Sequence, residues 1–247
     1  MNQLALTTGI DIPFPEAGVN IHQPTINEIS FLGEEAFYKA CNLLTITKED
    51  LKMSDKINLS NQTNFDILMA IITDENNPTA VEQKIFVEML LTIIFPSCSI
   101  KITKNGILLI QQGDKELHQI SANNFDLFSE KIKELFCLKQ KENDELNYKP
   151  ANDRASAIAE KLKKAREKIA AEKGQTIGKL DILSRYVSIL SVALKIDINT
   201  VKNYTVWQLF DQYERFSLHE ANDLYIKEML AGASGVETPD AWTKDIH

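Results

Sequence analysis

Three threonines in this sequence each stand three residues before a glutamate or glutamine, at the start of an apolar run with helical spacing. In this pattern the threonine hydroxyl accepts the amide N–H of the third residue, and the Glu or Gln side chain accepts the threonine N–H. The sequence therefore predicts several helix starts. The three pairs are Thr25 with Glu28, Thr79 with Glu82, and Thr205 with Gln208. With their apolar periodicity, the predicted helices cover residues 24–44, 63–74, 78–95, 123–138, 154–174, 179–196 and 205–230.

In residues 99–120 the apolar residues alternate with polar ones and no longer follow helical spacing. They include Asn105-Gly106, and an Asn-Gly pair between apolar runs is the strongest short-range hairpin signal. We predict a small antiparallel meander here. The predicted fold class is mainly α with this β-meander, as an α+β N-terminal part and an all-α C-terminal part.

Proline and polar residues divide the chain. Three prolines in the first 24 residues, Pro13, Pro15 and Pro24, prevent a continuous helix there. A polar stretch ahead of residue 154 is the best linker candidate. The predicted organisation is an extended N-terminal arm (1–24), an α+β domain (25–139), a linker (140–153) and a helical C-terminal domain (154–247).

Composition narrows the function class. The 247 residues are 44% hydrophobic and 25% charged, with a net charge of −8, as in soluble globular proteins. The three cysteines and four histidines show no metal-ligand spacing, and the chain carries no nucleophile-elbow or phosphate-loop motif. We expect a cytoplasmic protein that is not an enzyme, binds no metal or cofactor, and does not span a membrane.

The last long helix carries two apolar stripes. At about 100° per residue, the first is an ordinary core stripe that runs through Val206, Leu209, Phe210, Tyr213, Phe216 and Leu224. The second consists of Trp207, Leu218, Tyr225 and Met229, residue types enriched at interfaces. Two interpretations stay open for this second stripe, a helix packed on two sides or a docking face for a partner. Base stacking is the weakest, because no basic groove accompanies the rings.

The segment 154–173 is basic and amphipathic, with an apolar stripe that includes Ile158, Leu162 and Ile169. It is interpreted first as a packed connector, then as a site for an acidic protein, and last as a nucleic-acid contact, since it interleaves neither base readers nor aromatics. A helix-turn-helix over 180–216 is a further alternative. Its second helix, however, presents aromatics where a recognition helix needs polar and basic groups. Nucleic acid is therefore an unlikely partner in this interpretation.

Much of the chain resembles the tail assembly chaperone-like proteins of long-tailed phages and prophages of Gram-positive bacteria. The segments that carry the resemblance are "PTINEISFLGEEAFYKACNLLTIT", "PANDRASAIAEKLKKAREKIAAEKG", "LSRYVSILSVAL", "YTVWQLFDQYERF" and "LAGASG…AWTKDIH". They are characteristic segments of the family and include no catalytic motif.

The resemblance implies a function without catalysis. Such a chaperone coats the tape measure protein in the host cell cytoplasm, keeps that helical, apolar client soluble, and recruits tail tube protein. It implies self-association into a homo-oligomer as well. We expect Trp207, Leu218, Tyr225 and Met229 to be the first partner contacts, and Ile158, Leu162 and Ile169 the second choices. The alternatives are a structural component of the phage tail and a DNA-binding regulator.

Overall fold

The computed structural model describes residues 2–51, 62–74, 78–103, 106–111, 118–138, 182–232, 238–241 and 243. The helices in these ranges are α1 (Gln3–Thr8), α2 (Ile26–Leu32), α3 (Glu34–Leu44), α4 (Lys48–Leu51), α5 (Asn64–Thr73), α6 (Pro78–Ile94), α7 (Phe125–Leu135), α8 (Ile182–Leu194), α9 (Ile198–Val201) and α10 (Val206–Leu230). The strands are β1 (Ile12–Phe14), β2 (Val19–Ile21), β3 (Cys98–Thr103), β4 (Gly106–Gln111) and β5 (His118–Ile120). The predicted fold class is confirmed.

The predicted meander is a three-stranded antiparallel sheet in the order β3-β4-β5. Strand β3 pairs with β4 from Cys98 opposite Gln111 to Thr103 opposite Gly106, so the chain reverses between Thr103 and Gly106. Strand β5 then pairs with the other edge of β4, with Ile107 opposite Ile120. The Asn-Gly signal therefore located the hairpin but not its register, because Gly106 pairs with Thr103 as the first residue of β4 and is not a turn residue.

Two of the three predicted capping boxes are present. Thr25 and Thr205 cap α2 and α10, each accepting from the N–H of the third residue, whose side chain accepts from the threonine N–H. The third pair differs, because α6 begins at Pro78 and Thr79 lies inside the helix. Proline suits a first helical turn, where its missing N–H would have no intrahelical partner.

The helix predicted over 24–44 is two helices. Gly33 separates α2 from α3 with φ 86° and ψ 144°, a conformation that favours glycine. Its N–H still bonds the Ile29 carbonyl, so α2 is closed before the chain changes direction. The apolar spacing continues across the break, and spacing alone did not reveal it.

The first 24 residues fold instead of forming the extended arm that the prolines suggested. Asn2 caps α1 through its side chain, and Gly9 ends the helix in the left-handed region. Strands β1 and β2 pair antiparallel, joined by a 3-10 helix over Pro15–Ala17. Five apolar side chains of this segment are buried, Leu6, Ile12, Phe14, Ala17 and Ile21. Pro13 is accommodated because a two-stranded ribbon consists only of edge strands. Pro15 is the first residue of the 3-10 helix, where its missing N–H has no intrahelical partner to lose.

The C-terminal helices pack on the N-terminal part as one compact unit, which comprises Met1–Leu138 and Leu183–His247. The start of α2 is tied to the start of α10, since the N–H of Ile26 donates to the Tyr204 carbonyl at 2.9 Å and Thr25 bridges Thr205. Residues 25–138 and the described C-terminal residues thus share a core, where the sequence suggested two domains. The predicted linker at 140–153 lies outside the described residues.

Glu34, in the first turn of α3, caps the start of α8. Its Oε1 accepts the Leu183 N–H at 2.7 Å, and its Oε2 accepts the N–H and hydroxyl of Ser184 at 3.3 and 3.2 Å. A carboxylate at a helix N-terminus bonds otherwise unpaired N–H groups and opposes the positive end of the helix dipole. Glu34 therefore attaches the C-terminal helices to α3.

Replacing Glu34 with alanine is expected to lower the free energy of unfolding by about 1–2 kcal/mol, the usual cost of losing a capping side chain. Urea denaturation followed by circular dichroism measures it. Glu35→Ala is the matched control, because the ion pair of Glu35 with Lys39, at 2.9 Å, is exposed and its loss should leave stability nearly unchanged. Equal effects of the two substitutions would show that the cap contributes nothing.

Candidate functional site

Helix α10 is one continuous helix whose two halves have different surroundings. Its buried residues are Val206, Trp207, Leu209 and Asp211, all within the first two turns. No later residue of α10, all of which the structure describes, is buried. The helix is therefore anchored by its beginning, and its end lies at the surface.

The anchored half is held by the N-terminal segment and by α8. Gln208 donates to the Thr7 carbonyl at 2.8 Å, which ties α10 to α1. On the α8 side, the rings of Tyr186 and Tyr213 stack with centroids 3.7 Å apart, and Tyr186 meets Phe210 edge-on at 5.2 Å. Burial, and next the proximity of Tyr213, raises the pKa of Tyr186, so this phenol stays neutral. The cluster is a packing contact.

Asp211 is the buried charge of this half. It is 3% exposed, and Arg215, one turn further on, donates to its Oδ2 from Nε at 3.2 Å. A buried carboxylate is tolerated when it is paired and hydrogen-bonded. Asp211 is the last buried residue of α10, so this ion pair lies at the boundary between the buried and the exposed part of the helix.

Trp207 was predicted as a partner contact, and its position does not suit that role. Only 4% of it is exposed, and it belongs to the main hydrophobic core. It lies where the Thr25–Thr205 bridge and the hydrogen bond from Gln208 to Thr7 tie the start of α10 to the N-terminal part. The protein itself therefore buries Trp207.

We name residues 217–230 the distal segment of α10. Four of its apolar side chains are exposed, Leu224 (58%), Ile226 (46%), Met229 (49%) and Leu230 (83%). Leu218 and Tyr225, both predicted contacts, are half-buried. Leu218, Tyr225 and Met229 follow at spacings of 7 and 4 and so share one face. Of the predicted first contacts, these three lie together at the surface.

Leu224 was predicted to lie in the core, and in the structure it is exposed. The sequence placed it on the core stripe, which holds for Phe210, Tyr213 and Phe216, since these three pack against the core. Leu224 is exposed because the core ends before that turn is reached. Ile226 and Leu230 belong to the same exposed group and were not among the predicted contacts. The segment "LYIKEML" carries apolar residues on every side of the helix, and this pattern was the sequence signal that could have indicated them.

The C-terminal residues return beside the distal segment. Gly232 has a φ of 84° just after the helix ends, and the hydroxyl of Thr238 donates to the Tyr225 phenol oxygen at 3.4 Å. This contact covers part of Tyr225 and leaves Met229 open. Tyr225 is thus the inner border of the exposed face.

The charged residues of the distal segment are mostly acidic. Glu220, Asp223 and Glu228 outnumber Lys227 there. His219, Glu220 and Asp223 place ligand atoms within 4.8 Å of one another, with His219 Nδ1 4.0 Å from an Asp223 oxygen. Such exposed groups at one-turn spacing are ordinary on helix surfaces, and they assign no metal. The segment is an apolar surface with an acidic border.

The second group of predicted contacts, Ile158, Leu162 and Ile169, lies outside the described residues. Within the described ranges, no helix is both long and apolar enough to cross a bilayer. The distal segment of α10 is the candidate site that the described residues support, because exposed apolar helix surfaces are the kind of surface that protein partners bind.

Comparison with known proteins relates this region to phages. Residues 178–247 match the family model described as the YomV second domain. No curated protein and no solved structure matches the chain. The matched residues include α8, α9 and α10, and they are less than half of the chain. The C-terminal helical part, with its distal segment, is thus similar to a domain of a phage-derived protein of the Bacillus prophage type.

Proposed function

We propose that the protein is a non-enzymatic tail assembly chaperone of a long-tailed phage or prophage, acting in the host cell cytoplasm. It binds the tape measure protein and recruits tail tube protein during tail assembly. The observation that carries the proposal is the distal segment of α10, with four exposed apolar side chains at the end of an anchored helix. The similarity of residues 178–247 to a phage-related domain supports it.

The distal segment suits a helical, apolar client. Monomeric soluble proteins rarely expose contiguous apolar surface without using it for binding. Helix-in-groove recognition reads such a surface through side chains one and two turns apart, as Leu218, Tyr225 and Met229 are. Each apolar side chain transferred fully from water contributes about 1.5–3 kcal/mol. The exposed side chains of the distal segment are already partly in contact with the protein, so burying them contributes less than this for each. The resulting binding is reversible, and the polymerising tail tube displaces the chaperone.

The geometry of α10 favours a protein partner over DNA. A helix-turn-helix reader lays the first turns of its second helix in the major groove. In α10 these turns hold Val206, Trp207 and Leu209, which are buried. The surface that remains available is apolar with an acidic border, and phosphates would repel it.

Co-expression with the tape measure protein of the same phage tests the proposal. Wild type should raise the soluble fraction of the tape measure protein and co-purify with it. The double variant Ile226→Glu/Met229→Glu should lose both effects while keeping the wild-type melting temperature, because both side chains are already about half exposed. Val192→Glu is the control, since Val192 is an exposed apolar residue of α8, outside the distal segment.

Three results would count against the proposal. The function fails if the tape measure protein is equally soluble without this chain. The site fails if the double variant protects the client as well as wild type does. Abundant copies of the protein in purified virions, measured by mass spectrometry, would identify a structural component of the tail, because a chaperone is absent or scarce there. A pull-down with tail tube protein tests the second partner.

A further inference from the structure

Most apolar side chains of the distal segment lie on one broad face of α10, which we name the distal face. At about 100° per residue they span an arc of about 140°, from Tyr225 at one border to Leu230 at the other. The members of the distal face are Leu218, Tyr225, Ile226, Met229 and Leu230. All five are half-buried or exposed, so a second helix can pack along the roughly 20 Å of the segment.

The first charged side chain beyond each border of the distal face is acidic. On the same wheel, Asp223 lies about 20° beyond Leu230, and Glu228 lies about 60° beyond Tyr225. Lys227 is the one lysine or arginine of the distal segment, all of which the structure describes, and it lies farther round from Leu230 than Asp223 does. Both borders of the distal face therefore present a carboxylate to a partner before any base.

The residues around the distal segment do not reverse this charge. The C-terminal return adds Asp240, which is exposed and lies two residues beyond the contact of Thr238 with Tyr225. Ahead of the segment, Arg215 donates to Asp211, so its charge is already paired. The surroundings of the distal face are thus net negative, as is the whole chain at −8.

Charges at the borders of an apolar helix face act on the choice of partner. When two helices pack, the residues that flank the apolar seam meet the flanking residues of the partner, and their signs set which helices pair. Opposite charges speed the encounter, and like charges that face each other cost affinity. Two acidic borders therefore favour a partner helix whose apolar stripe is flanked by Lys or Arg.

We propose that the distal face binds amphipathic client helices with basic borders, and that Asp223 and Glu228 are its specificity-determining residues. The inference rests on the proposed function, because it names the kind of client segment that the same site takes. It goes beyond that function by assigning the choice among helices of equal apolar content to two carboxylates. A client helix with acidic borders is then bound weakly, even when its apolar stripe is the same.

Three synthetic peptides of about 21 residues, roughly six turns of helix, test the inference. They share leucines at the a and d positions of a heptad and differ only at the flanking e and g positions, which are all Lys, all Gln or all Glu. Fluorescence anisotropy of each labelled peptide with the full chain gives the dissociation constants. The measurement is made at about pH 8, where histidine side chains are neutral, and in about 100 mM NaCl.

The Lys peptide should bind at least ~10-fold more tightly than the Glu peptide, with the Gln peptide between them, because opposite-charge pairs replace like-charge pairs at both borders. In about 1 M NaCl, where screening acts within about 3 Å, the three dissociation constants should agree within about 2-fold. The apolar stripe is the same in all three peptides, so its contribution cancels in the comparison.

Charge reversal on the protein tests the two residues. Asp223→Lys/Glu228→Lys should invert the order of the peptides, so that the Glu peptide binds more tightly than the Lys peptide. Asp223→Lys alone should weaken the Lys peptide at least ~3-fold. Glu220→Lys is the matched control, because it changes the net charge equally but lies farther from the distal face, and it should have less than about a 2-fold effect. All three positions are half or fully exposed, so circular dichroism should show folded variants.

The inference is overturned if the three peptides bind equally, or if the double variant keeps the wild-type order. Either result leaves the proposed function standing where the tape measure protein still depends on this chain for its solubility. If no peptide binds at about 1 mM, a weak affinity for any helix interface, the distal face is not a helix-binding site and the inference fails with it. The co-expression experiment then decides the proposed function separately.

Discussion

Replacing Trp207 with alanine is expected to lower the free energy of unfolding by about 3–5 kcal/mol, as large-to-small substitutions of buried aromatics do. Trp207 is 4% exposed and packs in the main core where α10 is anchored to the N-terminal part. In a chain of this size, each kcal/mol lowers the melting temperature by about 2–4 °C. Thermal and urea denaturation of the purified chain measure both values.

The matched control is Met229→Ala in the same helix. Met229 is about half exposed, so its truncation should change the free energy of unfolding by less than about 1 kcal/mol. Under the proposed function it should reduce the solubility of the tape measure protein instead. If Trp207→Ala melts as wild type does, its side chain is not a core element and its predicted role as a partner contact returns.

Local signals in the sequence predicted local structure well. The Asn-Gly pair gave the β3–β4 hairpin, and the boxes at Thr25 and Thr205 gave the starts of α2 and α10. These features depend on hydrogen bonds between residues two to four positions apart, which sequence spacing records directly. The helical periodicity likewise predicted α5 and α7.

Long-range contacts were not predictable in the same way. Glu34 caps α8 from 149 positions away, and Gln208 bonds Thr7 across 201 positions. No spacing rule marks such partners, because the fold brings them together. The folded N-terminal segment was missed for a similar reason, since its prolines exclude a long helix but permit a short one followed by a hairpin.

The helical wheel predicted the faces of α10 but not how far along the helix the core extends. Trp207 and Met229 share a face, yet the first is buried and the second is open. A wheel gives azimuth only, and burial depends also on which elements lie beside each turn. The same limitation applies to α8, which carries apolar residues on almost every side although Val192 is 78% exposed. Its buried residues are Leu183, Val187 and Leu190, a single stripe.

Gly18→Ala is expected to destabilise the protein by about 2–4 kcal/mol, which combines a left-handed backbone penalty of about 1–2 kcal/mol with a steric clash. Gly18 has a φ of 68°, and an added Cβ would lie 2.7 Å from Nδ1 of His118. His118 cannot simply move aside, because it is buried and its Nδ1 lies 3.0 Å from the Ala17 carbonyl, to which it donates. The substitution therefore loosens the N-terminal hairpin from β5.

A second glycine separates the two causes. Gly232 has a φ of 84° with nothing within 4 Å of its added Cβ, so Gly232→Ala carries the backbone penalty alone. The excess destabilisation of Gly18→Ala over Gly232→Ala in urea titrations then measures the clash with His118. In a His118→Ala background that excess should disappear, since the opposing ring is gone. If Gly18→Ala costs the same in both backgrounds, the strain lies in the backbone, and His118 does not hold the hairpin against the sheet.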